Sequence, residues 1–304
     1  MTQLQAVVEL VDADRLHVRQ DDAVGGWSTV EELVAHTERC GHDGGDRLVT
    51  AAVVTLARHV ARRGGPVDGR PFLATWSTNI PRSLGLAGSS AVVVATMRAL
   101  SERWDLQLAP PELAALALAA ESEELGIAAG WMDRAVQAHA APTLVDTRAV
   151  DADGMPRMRT VVPPMPVELV VAWSSAGASP SGRLHGDLRE RAHDGDPVVR
   201  DAVRGLVDAA LDAAAALSEG EHGRLAEAVG RSCALRRDLG ALDGATAAMV
   251  DAAAALGASA TSAGSGGAIL AVPETDRAGA AQELVDGLTR GDLAAQVVVV
   301  GAPT

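Results

Sequence analysis

The chain has 304 residues, 48% of them hydrophobic, enough to bury two packed cores or one large one. Its formal charge of −14, without a single lysine or a basic run, argues against nucleic acid as a partner, and one Phe with no Tyr removes the aromatic platforms on which unpaired bases stack. Cys40 and Cys233 stand outside any C-x-x-C pair, no apolar run approaches the roughly 20 residues of a membrane span, and acids stand at the N-terminus where a secretory leader is basic and apolar. These features point to a cytoplasmic protein with neither nucleic-acid nor membrane partners. Ala6–Leu10 and Arg15–Arg19 read as two short strands, joined through Asp12-Ala13-Asp14 as a hairpin. Apolar residues at helical spacing run from Gly45 to Arg63, and Pro71–Ser77 reads as the next strand. A Gly- and Ser-rich turn, Arg82–Ser90, leads into an apolar helix over Ala91–Arg103. Pro110-Pro111-Glu112 opens a helix that continues through the acidic cluster Glu121–Glu124.

Val150–Pro166, with its Asp, Gly and Pro residues, is the expected boundary between two domains, residues 1–160 and 161–304. After it come a strand at Val167–Trp173, Ala-rich helices at Pro197–Leu217 and Glu221–Asp238, a helix at Ala245–Leu256 and a Gly-rich turn. A strand at Ala268–Val272, a helix at Arg277–Thr289 and a last strand at Gln296–Val300 complete the chain. Strands interleaved with helices in this half predict an α+β layer of ferredoxin-like kind.

Three segments carry chemistry. Asn79-Ile80-Pro81-Arg82-Ser83-Leu84-Gly85-Leu86-Ala87-Gly88-Ser89-Ser90-Ala91 lies between a strand and a helix. Small residues there let backbone approach an anion, and the helix start offers free N–H groups and the positive end of its dipole. A plain helix start is the alternative; a Walker A loop is ruled out by the lack of lysine. In Ala120-Glu121-Ser122-Glu123-Glu124-Leu125-Gly126-Ile127-Ala128-Ala129-Gly130-Trp131-Met132-Asp133-Arg134, carboxylates stand ready for a metal and for orienting an attacking hydroxyl. Against this, Glu121, Glu123 and Glu124 also read as a solvated helix face, and Asp133 as the N-cap of the next helix. Ala258–Ala268, with Gly264-Ser265-Gly266-Gly267, is a Gly-rich turn running into a strand. His36, Cys40 and His42 lack the second pair a zinc site needs.

The string P-x-x-x-G-L-x-G-S-S-A resembles the ATP-phosphate motif of the GHMP kinase superfamily. The longer forms I-P-R-x-x-G-L-x-G-S-S-A and A-E-x-E-x-x-G-I-x-x-G-x-x-D-R are similar to those of glucuronokinases. That likeness runs from about Val8 to Ala271 and takes in Gly44-Gly45-Asp46-Arg47-Leu48, Ser181-Gly182-Arg183-Leu184-His185 and Arg191-x-x-Asp194-Gly195-Asp196.

The resemblance implies an α/β (α+β two-layer) GHMP kinase fold, with a ribosomal protein S5 domain 2-like N-terminal domain and a ferredoxin-like C-terminal domain, and ATP between them. It implies ATP and Mg²⁺ as cofactors and transfer of a phosphoryl group to a sugar or uronic acid, giving a sugar 1-phosphate, by a monomer or homodimer. Pro81, Gly85, Leu86, Gly88, Ser89, Ser90 and Ala91, with Gly264, Ser265, Gly266 and Gly267, would hold the nucleotide; Ser90 and Glu121 would meet the metal. Asp133 would be the catalytic carboxylate with Arg134 beside it, and Arg82, Arg183 and His185, with Arg191, would face the substrate. A galactose, heptose or mevalonate-type specificity and a binding-only relative are the alternatives. Two departures stand out. Thr261-Ser262-Ala263 replaces the K-F-T expected before the last motif, and the family's opening G-R-x-x-L-x-G-N-P-x-D motif is missing, through a start at an internal Met or a true absence.

Overall fold

The computed structural model describes residues 4–19, 26–65, 67–152, 154–174, 188, 190–264 and 266–301. The chain forms two compact units: Leu4–Ile80 with Ala87–Arg159, and Pro81–Leu86 with the chain from Thr160 onward. Helices and strands mix in both, an α/β architecture.

In the first unit, β1 (Ala6–Asp12), β2 (His17–Arg19), α1 (Val30–Cys40) and α2 (Arg47–Arg62) precede β3 (Phe72–Thr78). Then come α3 (Gly88–Arg103), α4 (Pro110–Ala119), α5 (Trp131–His139) and the hairpin of β4 (Thr143–Val150) and β5 (Pro156–Thr160). β1 and β2 are not the expected hairpin. β3 lies between them, antiparallel to β1 from Ala6↔Thr78 to Asp12↔Phe72 and parallel to β2. Phe72, Ala74 and Trp76 on one face of β3 are buried, so the centre of the sheet goes to the strand with the most apolar surface to hide. A full-length ladder with β3 also satisfies more of β1 than the short β2 could. The core beneath is built from Val49, Val53 and Leu56 of α2 and Val93, Met97 and Leu100 of α3. Trp76 Nε1 donates to Asp46 Oδ1 at 2.7 Å, tying the start of α2 to β3.

The second unit contains β6 (Val167–Trp173), α6 (Pro197–Glu219), α7 (His222–Asp238), α8 (Gly244–Ala255), β7 (Ala258–Ser262), β8 (Ala268–Pro273), α9 (Ala280–Arg290) and β9 (Ala294–Val300). Its sheet runs β7-β8-β6-β9 with every neighbour antiparallel, the split βαβ order of a ferredoxin-like layer. Alternate residues of β6 feed opposite faces: Val170 and Ala172 pack with Met249, Ile269 and Leu284, while Leu169 and Val171 pack with Leu225, Val229 and Val298. Alanine lets helix and sheet backbones approach closely, which is how a chain so poor in aromatics fills its cores. The segment expected as a Gly-rich turn contains a strand, β7, and the turn shrinks to residues 263–267. Likewise the expected connection Val150–Pro166 contains β5, paired with β4.

Candidate active site

The loop after β3 takes the left-handed conformation at Ser83, Gly85 and Ala87, with φ of 60°, 70° and 57°. Positive φ at non-glycine residues is uncommon and marks a backbone held in a special path. Ala87 is the N-cap of α3 and offers no side-chain acceptor, so the first-turn N–H groups of Gly88, Ser89 and Ser90 have no cap bond from it. Ser90 is fully buried, its hydroxyl donating to Ala87 O at 2.9 Å, while the Ala91 N–H donates to the same carbonyl at 3.0 Å. Ser89 is half-buried and Arg82 exposed. Leu86 packs against the core of the ferredoxin-like unit.

Within that unit the Gly-rich turn and the loop meet. Gly264, Gly266 and Gly267 have φ of 51°, 99° and 87°; a Cβ on Gly264 would stand 2.5 Å from the Gly85 carbonyl oxygen, and one on Gly267 would stand 2.9 Å from Leu84 Cδ2. Glycine is required here by closeness as well as by conformation. The Gly267 N–H donates to Thr246 Oγ1 at 3.2 Å; that hydroxyl donates to Asp243 Oδ2 at 3.0 Å, and Asp243 caps α8 by accepting from the Thr246 N–H at 2.8 Å. Asp243 and Thr246 went unremarked in the sequence, although D-x-x-T ahead of a helix is a capping pattern. Ser265 lies outside the described residues.

In the other unit the acidic helix does not simply continue: α4 gives way to a π turn over Ala120–Glu124. Such turns recur at functional sites. Glu121 is fully buried, which overturns its reading as a solvated face. Its Oε2 accepts from Arg134 Nε at 2.6 Å and from Nη2 at 2.5 Å, while Oε1 is buried without a hydrogen-bond partner. Arg134 is buried as well, and its Nη1 lies 3.2 Å from Gly130 O and 3.3 Å from Asp133 Oδ2. The N-cap of α5 is Gly130, so Asp133 is not the cap; it sits in the first turn with its side chain 44% exposed. Glu124 pairs with Arg58 and approaches His42 Nε2 at 3.4 Å, whereas Glu123 is exposed and remains a solvated acid.

Among the described residues no group of three or more His, Cys, Asp or Glu side chains could hold a metal. A divalent ion here would therefore lean on oxygens brought by a ligand, and the orphaned Oε1 of Glu121 is a suitable protein donor. Arg183 and His185 lie outside the described residues. Arg191, grouped with them as a substrate contact, is engaged elsewhere: its Nε lies 3.0 Å from Asp196 Oδ2, and Asp196 caps α6 by accepting from the Val198 N–H at 2.8 Å.

Residues 47–141, which carry both the loop and the Glu121–Asp133 segment, match the GHMP kinases N terminal domain. A probable glucuronokinase 2 of Arabidopsis thaliana is 29% identical over 256 residues, covering 80% of this chain and 68% of that protein. Glucuronokinase 1 of the same plant is 27% identical over 257 residues, covering 80% and 69%. The chain thus resembles GHMP kinases over residues 47–141 and the two glucuronokinases over 80% of its length. The fold agrees: phosphomevalonate kinase of Streptococcus pneumoniae, solved with phosphomevalonate and AMPPNP, superposes with a TM-score of 0.73 over 96% of this chain and 89% of its own, at 18% identity. The GHMP kinase match stops short of the Gly264–Gly267 turn, which contacts the loop only through the fold.

Proposed function

We propose that this chain is a GHMP kinase that transfers the γ-phosphoryl group of ATP to a hydroxyl of a sugar or uronic acid, with glucuronate the first acceptor to test and the anomeric hydroxyl the site of attack. The observation that carries the reading is the buried Glu121, open on one oxygen and clamped on the other by Arg134, the residue that follows the half-exposed Asp133 in α5. The glucuronokinases among its relatives support the acceptor class, and the nucleotide analogue in the structural neighbour supports the donor.

In this reading the uncapped N–H groups at the start of α3 and the left-handed loop ahead of it receive the phosphates, with Ser90 at their base. Mg²⁺, when bound, neutralises charge on the transferring group and its leaving diphosphate. Glu121 Oε1 and the Ser90 hydroxyl are the residues that would hold it. Arg134 holds the Glu121 carboxylate in place through its Nε and Nη2. Asp133 accepts the proton of the attacking hydroxyl as that oxygen bonds to phosphorus and the bond to the bridging oxygen of ADP breaks. The exposed thiol of Cys40 supports a reducing, cytoplasmic setting.

The test is ADP release with Mg²⁺ and ATP against glucuronate, galacturonate, galactose and mevalonate. Asp133→Asn should lower turnover by at least about a hundredfold, the usual worth of a positioned base, while ATP still binds. Unchanged turnover in that variant would remove Asp133 from the mechanism. ATP binding without turnover on any acceptor would instead make the protein a binding-only relative.

A further inference from the structure

We propose that Arg236 is a ligand-contacting residue of this kinase: its guanidinium receives an oxyanion at the Gly-rich turn, either a phosphate of the nucleotide or the carboxylate of an acidic acceptor. The inference rests on the kinase reading above and adds to it a residue that no motif singles out.

Arg236 lies in the last turn of α7. Its side chain does not turn back on the helix carbonyls, as a cation serving the helix dipole would. It reaches the end of β7, where Nη1 donates to Ser262 Oγ at 3.2 Å. Ser262 is buried, and the next residue opens the turn: the Ala263 N–H donates to Ala268 O at 2.9 Å, and Gly264 presses on the Gly85 carbonyl of the phosphate loop. The cation is thus one hydrogen bond from the base of that turn.

What sets Arg236 apart is the lack of a counter-charge. Its Nε is buried with no hydrogen-bond partner, and among the described residues no carboxylate lies within ion-pair distance. Acids are in surplus in this chain, 40 against 26 arginines, and the adjacent Arg237 has found Asp251 at 2.8 Å. Burial also weakens the hold of Arg236 on its proton. A desolvated, unpaired cation destabilises the fold that carries it, and such a group is compensated only when an anion arrives. The planar fork of a guanidinium suits phosphate and carboxylate oxygens alike.

The experiment compares Arg236→Met and Arg236→Lys with the parent by thermal melting, by calorimetric titration with ADP, with inorganic pyrophosphate and with glucuronate, and by kcat/KM on glucuronate and on galactose. Arg236→Met is expected to melt at the parent's temperature or above, because a partly buried charge without a counter-ion has gone. If the oxyanion is a phosphate, this variant loses at least about tenfold in affinity for ADP and pyrophosphate, the worth of a charge-assisted hydrogen bond. If it is the acceptor's carboxylate, ADP binding is kept, and kcat/KM falls by that factor for glucuronate and not for galactose. Losses below about tenfold in every one of these readouts overturn the proposal. Should Arg236→Met lower both melting and binding, Arg236→Lys decides: retained charge that restores binding supports the site, and no restoration overturns it. Absence of turnover by the parent protein on every acceptor refutes the kinase reading alone, since the titrations with pyrophosphate and glucuronate still accept or reject Arg236.

Discussion

Gly264 shows how much a single position of this molecule is asked to do. It combines a left-handed φ of 51° with a 2.5 Å gap from its virtual Cβ to the Gly85 carbonyl oxygen, an atom of the main chain that has no rotamer by which to withdraw. Gly264→Ala should therefore cost about 1–3 kcal/mol of stability, from strain and overpacking together, and should weaken ADP binding by displacing the loop. Denaturant melts and calorimetry read both. Gly223, in the first turn of α7 with nothing near its virtual Cβ, is the control: Gly223→Ala should be neutral or stabilising by up to about 1 kcal/mol. Equal losses at the two positions would refute the contact. Asp133 and Glu121 were legible as residues because the spacing of the string carries them. The burial of Glu121 was not, since a Glu in an acidic run has the same letters whether it meets water or Arg134.

Among the elements, the π turn at Ala120–Glu124 is the one on which the site depends. Glu124 fastens it to α2 through Arg58, and His42, held in turn by Thr50 Oγ1 at 2.9 Å, stands on its other side. Glu124→Ala is expected to release this fastening, costing about 1–2 kcal/mol of stability and lowering kcat through misplacement of Glu121, while ATP affinity changes little. Steady-state kinetics with an independent nucleotide titration would check it; a pure loss of nucleotide affinity would contradict it. Long apolar helices such as α2 and α3 were readable from their period. α1 was missed, although Thr29 accepting from the Glu32 N–H at 3.2 Å, with Glu32 accepting from the Ser28 N–H, forms a capping pattern visible in T-V-E-E. The supposed hairpin of β1 and β2 failed because strand pairing is a competition, and β3, sixty residues on, was the better partner.

At the scale of the whole chain, acid sensitivity follows from two partly buried histidines in the first unit. Burial pushes the His59 imidazole below its usual range, and Arg63 acts in the same direction against the pull of Glu112; burial does the same to His139. Their unfolded values lie near 6.5, so the unfolded chain binds more protons just below that pH. The stabilisation is full above about pH 6.5 and is lost as pH falls towards the depressed folded values. The melting temperature should fall between about pH 6.5 and 5, and His59→Gln should flatten that slope; a variant with the parent's slope would show that His59 is not the sensor. Asp68 and Asp146, each held at about 2 by Arg70 and Arg148, act in a lower window, but their arginine partners are exposed and such surface pairs contribute little.

Two kinds of information meet in this protein. Local periodicity and motif spacing determined most of the helices, marked out the loop ahead of α3 and the Glu121–Asp133 segment, and pointed to the ferredoxin-like half, because each is written in residues close along the chain. Tertiary structure alone decided the place of β3 between β1 and β2, the seating of Gly264 on Gly85, the burial of Glu121 against Arg134 and the unpaired state of Arg236. Those depend on which distant surfaces exclude water together, and a desolvated charge or a missing Cβ has meaning only in the company of atoms that the fold brings to it.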